Sequence, residues 1–127
     1  MVIGLRVLII EDEPDVRAAL SLLLRQWLVT TEIVATSDEA LARLTAGAVF
    51  DVVLTDYRLG GAMTGLDLIA QIRRVTADPP ALALITGDMD GALITMANQL
   101  GLPILHKPVQ PARLRALLNH LVTNRGR

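Results

Sequence analysis

The chain has 127 residues, 52% of them hydrophobic, which suits one compact domain around a single core. It contains no cysteine, so disulfides, thiolate zinc sites and cysteine nucleophiles are excluded and any chemistry must use oxygen and nitrogen. Twelve basic residues against thirteen acidic ones give a formal charge of −1, which offers no general basic field for nucleic acid or an anionic membrane.

Along the chain, short runs of β-branched and aliphatic residues alternate with longer amphipathic stretches, the pattern of repeated βα units around a parallel sheet. A first strand is expected at Arg6–Ile10 and a helix at Asp15–Trp27, with Glu11-Asp12-Glu13 between them. A second strand at Thr31–Val34 leads to a helix at Asp38–Ala46, which Ser37 can cap and Gly47 can stop in a left-handed conformation. The third pair is Asp51–Thr55 and Leu66–Val75, with Thr64 ahead of the helix and Asp78-Pro79-Pro80 closing it. The fourth is Ala81–Thr86 and Gly91–Leu100, stopped at Gly101. The fifth is Pro103–His106 and Pro111–Leu121, where Pro111 suits a first helical position.

Three of the strands are apolar on both faces of the pleat, so helices must cover both sides of the sheet. The five units use the whole chain as one domain, with a core over about residues 5–122 and a polar tail from Thr123 to Arg127 that is expected to fray. Apolar runs such as Val7–Ile10 and Val52–Leu54 are strand-sized, far short of the roughly 20 residues that cross a bilayer. The N-terminus lacks the layout of a signal peptide, and a cytoplasmic setting is expected. With only Trp27, Tyr57 and Phe50 as aromatics, stacking on nucleic-acid bases has little support.

In an open parallel sheet, ligands gather outside the carboxyl ends of the strands. Here the first strand ends in Glu11-Asp12-Glu13, the third in Thr55-Asp56, the fourth in Thr86-Gly87-Asp88 and the fifth in His106-Lys107-Pro108. Carboxylates from neighbouring strands repel in a shared cleft and raise one another's pKa, a conflict that a hard divalent cation resolves. Magnesium takes oxygen ligands at roughly 2.0–2.1 Å, usually with water and phosphate oxygens completing the octahedron. A lysine opposite the acids and a threonine hydroxyl would neutralise a phosphoryl group as it passes to an acceptor, Asp56. Taken singly, each residue has an ordinary use: Glu11, Asp12 or Glu13 as a helix cap, Asp56 in a turn, Thr86 at a strand end, Lys107 as a solvated charge. Their joint placement at four strand ends carries the functional reading.

On these residues the chain resembles the receiver domains of two-component signalling, from Arg6 to Leu121. Val7-Leu8-Ile9-Ile10-Glu11-Asp12-Glu13-Pro14 is similar to the family's first strand and acidic pair, and Val53-Leu54-Thr55-Asp56-Tyr57-Arg58-Leu59 to its phosphoacceptor segment. The resemblance implies a flavodoxin-like (βα)5 fold with strand order 2-1-3-4-5. It implies Asp56 as phosphoacceptor and metal ligand, Asp12 as a direct ligand of Mg2+, Glu11 as a ligand mostly through water, and the backbone carbonyl of Arg58 as a further ligand. Thr86 would hydrogen-bond a phosphoryl oxygen, Lys107 would pair with it, and the Lys107–Pro108 bond would be cis. The partners implied are a histidine kinase or a histidine phosphotransfer domain.

The chain departs from the family at Ile104, where an aromatic residue usually stands three positions before the lysine, and in Leu59–Gly65, which lacks a common proline and has room for flexibility. Arg58 and Asp88, two residues beyond the acceptor and the threonine, are placed to tune the lifetime of the phosphoryl group or else to pair with each other. Thr55–Leu68 and Leu102–Leu118 look most like receivers attached to hybrid sensor histidine kinases. His106 is expected near the surface, His120 in a last helical turn, and Trp27 in packing. Leu93, Met96, Leu114 and Leu117 are core residues first, with an exposed remainder available to a homodimer or partner face. Two alternatives accompany the phosphoacceptor: a receiver-like interaction module that is never phosphorylated, and a magnesium-dependent phosphatase or nucleotide enzyme. The second lacks a glycine-rich phosphate loop after the first strand.

Overall fold

A computed structural model describes residues 2–61, 63–87 and 90–125. In chain order the elements are β1 (Arg6–Ile10), α1 (Pro14–Gln26), β2 (Thr30–Val34), α2 (Ser37–Thr45), β3 (Val52–Asp56), α3 (Gly65–Val75), β4 (Ala81–Thr86), α4 (Gly91–Gln99), β5 (Ile104–His106) and α5 (Pro111–Arg125). The strands form one parallel sheet in the order β2-β1-β3-β4-β5, so the strand order and the expected alternation both hold.

The period of two along the inner strands divides the core. Val7, Ile9, Val52, Leu54, Ala83 and Ile85 face one side, where α1 and α5 cover them with Leu20, Leu24, Leu114 and Leu118. Leu8, Ile10, Val53, Leu82 and Leu84 face the other, under Leu44 of α2, Leu68 and Ile72 of α3, and Leu93 and Ala97 of α4. Burial on both faces explains why these strands read as continuous apolar runs.

Several ends differ from expectation for local reasons. The cap of α2 is Thr36, whose Oγ1 accepts the Glu39 N–H at 3.2 Å, and Ser37 becomes the first helical residue. α1 starts at Pro14, which has no N–H to lose at that position. β3 begins one residue later, at Val52, and the Asp51 carboxylate ahead of it accepts the Arg6 N–H at 2.9 Å. α5 runs on to Arg125, so residues 123–125 are helical rather than frayed. Thr123 Oγ1 donates back to the Asn119 carbonyl at 2.8 Å within it. His120 therefore lies inside the helix and not in its last turn, and residues 126–127 fall outside the described residues.

Other expectations are met. Thr64 caps α3 in a reciprocal box with Asp67, and Gly47 and Gly101 have φ of +97° and +69°. The Lys107–Pro108 bond is cis. His106 is exposed, Trp27 packs under the guanidinium of Arg115 at 5.4 Å, and Leu93 and Leu114 are buried. Met96 is 49% exposed and so is not core. Among the described residues, no helix is long and apolar enough to cross a membrane.

Candidate functional site

Parallel register carries the polar strand ends to one edge. Ile10 lies beside Thr55, Asp56 beside Ile85 and Thr86 beside His106, so the residues that follow β1, β3, β4 and β5 border a common cleft. Its volume is about 360 Å3, and its lining includes Asp12, Glu13, Asp56, Arg58, Thr86 and Lys107. Asp56 and Thr86 are buried at 6% and 2% exposure, so whatever reaches them must enter from this edge.

Lys107 is the electrostatic centre. Its Nζ lies 2.9 Å from Asp56 Oδ2, 2.9 Å from Glu11 Oε1 and 3.7 Å from Glu13 Oε1. The contact to Asp56 is a hydrogen bond, whereas Glu11 Oε1 is close to the ammonium without the angle of a directed bond. Glu11 is fully buried, and its other oxygen accepts the Glu13 N–H at 3.1 Å. An isolated carboxylate in that position would be very unfavourable, so the ion pair is what makes its burial tolerable.

Opposing forces set the charge on Asp56. Burial raises its pKa and the negative charge of Glu11 raises it further, while the Lys107 hydrogen bond and the Arg58 backbone N–H work the other way; the net direction is upward. For Lys107, burial alone would lower the pKa, but the hydrogen bond to Asp56 and the close negative charge of Glu11 outweigh it, raise the pKa and hold the ammonium protonated. The site thus keeps a permanent cation against carboxylates that burial disfavours.

Glu11, Asp12, Glu13 and Asp56 offer carboxylate oxygens that all lie within 4.8 Å of one another, a set that could hold a metal ion. The donors fit a hard divalent cation, being all oxygen and more negative than one lysine can neutralise. Glu11 is the least free, since it is already engaged by Lys107 and by the Glu13 N–H. Asp12 is exposed at the mouth, and Gly60, at φ +75°, leaves room beside it: a Cβ there would stand 3.4 Å from Asp12 Oδ2.

The expected residues Glu11, Asp12, Asp56, Arg58, Thr86 and Lys107 all come to this edge; Asp88 lies outside the described residues, as does Ala62 of the Leu59–Gly65 loop. Three residues that the sequence reading did not assign to the site take part in it. Glu13 joins the carboxylates and Lys107, although its place in the acidic run already marked it. Gly65 lets α3 start directly against the site, because a Cβ there would fall 2.4 Å from the Asp56 carbonyl oxygen. Arg17 reaches back from α1 to the Glu11 and Asp12 carbonyls, and no local pattern announces that contact.

Sheet order, cleft and charged residues together define an open α/β module with an acidic cleft and a paired lysine at the carboxyl ends of its strands, and comparison supplies the family. Residues 7–119 match the response regulator receiver domain, and the chain belongs to that family. It is 36% identical over 115 residues to the response regulator protein PilR of Pseudomonas aeruginosa, covering 89% of this chain and 25% of that protein. Over 74 residues it is 41% identical to the two-component response regulator ORR42 of Oryza sativa, covering 58% and 55%. The chain thus spans from a quarter to about half of these curated relatives. A receiver domain structure from Clostridium thermocellum superposes with a TM-score of 0.86 at 25% identity, covering 96% of this chain and 97% of that one. A CheY-like receiver from Methanospirillum hungatei gives 0.85 at 22%, covering 97% of each, and so shares the fold.

Proposed function

We propose that this chain, as a single receiver domain, accepts a phosphoryl group from a phosphohistidine onto Asp56 and changes its partner contacts in consequence. The observation that carries the reading is the 2.9 Å contact of Lys107 Nζ with Asp56 Oδ2 at a cleft shared with Thr86 and Asp12. An oxygen of Asp56 forms a bond to phosphorus as the donor's phosphorus–nitrogen bond breaks, and the electron pair returns to the imidazole. Lys107 lies where charge on the phosphoryl oxygens can be met, and the Thr86 hydroxyl lines the same cleft. Later attack by water on phosphorus would return Asp56 and release inorganic phosphate, so the mark is temporary.

Asp12 and Asp56, with Glu11 and the Arg58 backbone carbonyl in support, are the residues that would hold magnesium. When bound it would offset the negative charge of the carboxylates and of the phosphoryl group. Receiver domains work with histidine kinases or phosphotransfer proteins, and the resemblance of Thr55–Leu68 and Leu102–Leu118 to hybrid sensor kinases favours a parent chain of that kind in the cytoplasm. The deciding experiment is intact mass after incubation with acetyl phosphate and magnesium. One added phosphoryl group that requires both magnesium and Asp56, judged by Asp56→Ala, is the expected result. No addition to folded protein would refute the proposal and leave an interaction module that is never phosphorylated.

A further inference from the structure

The turn between β1 and α1 carries three acids in succession, and its carbonyl groups need donors. Glu13 is the N-cap of α1, in extended conformation at φ −83° and ψ 117°, yet its side chain makes no capping bond, and Pro14 follows at the first helical position with no N–H. The turn is held instead from inside the helix. Nη1 of Arg17 donates to the Glu11 carbonyl at 3.0 Å and to the Asp12 carbonyl at 2.9 Å. The Arg17 backbone N–H donates to the Glu13 carbonyl at 3.0 Å. One residue grips three consecutive peptide units, and these units set the direction in which the Asp12 side chain leaves the backbone.

The geometry points to Arg17 as the positioning residue of the cation site. Asp12 is exposed, so packing does not orient it; the guanidinium fixes its peptide and so presents its carboxylate to Glu11, Glu13 and Asp56 before a cation arrives. Because it bonds carbonyl oxygens, Arg17 itself occupies no carboxylate of the cluster. This inference rests on the reading of the cluster as a magnesium site and assigns the support of that site to a residue outside it.

The test is calorimetric titration of magnesium into the full chain, with the rate of acetyl phosphate labelling measured alongside. Loss of an outer support of this kind weakens metal binding by about 10–100-fold, and about tenfold is expected for Arg17→Met. The labelling rate at saturating magnesium should change by less than about twofold, since the variant alters occupancy and not the reacting groups. Arg17→Lys should recover most of the affinity, because both carbonyl bonds come from one nitrogen that an ammonium can replace. Arg25→Met, which removes an exposed charge from the far end of α1, should leave binding unchanged. If methionine at position 17 prevents folding, Arg17→Gln carries the same expected loss. Wild-type affinity in the folded Met or Gln variant, or an equal loss in Arg25→Met, would overturn the inference and leave the magnesium site standing. No binding by the wild type would overturn both.

Discussion

Replacing Lys107 by methionine keeps most of the side-chain volume and removes the cation that Asp56 and Glu11 share. Breaking a buried ion pair from one side costs about 3–5 kcal/mol, because the remaining charge is left without compensation. The Lys107 side chain is 21% exposed, against 8% for Asp56 and 0% for Glu11, so water already screens part of the contact. We therefore expect a loss below that range, about 2 kcal/mol. For a domain of this size that corresponds to a fall of about 8 °C in Tm. Circular dichroism melts in EDTA at pH 8 would measure it. The sign of the pH dependence follows from Asp56. Without the ammonium the folded-state pKa of Asp56 moves further up, so the protonated form that suits burial is recovered as the pH falls. The deficit should shrink between pH 8 and pH 5, and at pH 8 magnesium should narrow it. A variant as stable as wild type at pH 8, or a deficit flat with pH, would refute this account of the site.

The Asp56→Asn variant should be more stable than wild type in EDTA at neutral pH, by about 1 kcal/mol in urea denaturation, because it removes a charge that burial disfavours. The raised pKa of Asp56 means that its favourable, protonated contribution is complete below its unfolded value and is lost as pH rises through the folded one, so the gap should widen from pH 4 to pH 7. Gly65→Ala places a Cβ 2.4 Å from the Asp56 carbonyl and should lower stability by about 2 kcal/mol in the same assay, since backbone must shift to admit it. Leu28 has φ +60° just beyond α1, where its N–H and that of Val29 bond the Arg25 and Leu24 carbonyls, while its side chain is 66% exposed. Leu28→Gly should therefore raise stability by about 1 kcal/mol, read as an increase in Tm.

Fold and site were legible to different depths. The doubly buried strands announce themselves because Val7–Ile10 and Val52–Leu54 have no polar alternation to obey, and parallel sheets are covered on both faces. Strand ends are visible because the chain turns abruptly polar at Glu11, Asp56, Thr86 and Lys107, and parallel register then forces those ends together. Thr36 and Ser37 both carry the hydroxyl that a cap needs, so composition could not choose between them; the choice came from the bond to the Glu39 N–H. The hold of Arg17 on the Glu11 and Asp12 carbonyls depends on how α1 turns back toward β1, which no residue pattern encodes. Gly65 follows the same rule, since its need for no side chain arises from the distance between α3 and the end of β3.

Ile104 stands where the family usually has an aromatic ring, so any coupling of Thr86 to the rest of the domain must use other contacts. Ile104 pairs with Leu84 in the sheet and packs, partly buried, against the cluster that holds Leu93 and Ala97 of α4. Thr86 is tied to the lysine through backbone: the Lys107 N–H donates to the Thr86 carbonyl at 3.0 Å, and Thr86 faces His106 in the β4–β5 register. A shift of Thr86 toward a phosphoryl oxygen would therefore act on Lys107 through one backbone hydrogen bond. The same lysine pairs with Glu11, Glu13 and Asp56, so a change at the end of β4 would redistribute charge at the ends of β1 and β3 without any ring rotation. By this route the response would pass through the ion-pair network before it reached the exposed faces of α4 and α5.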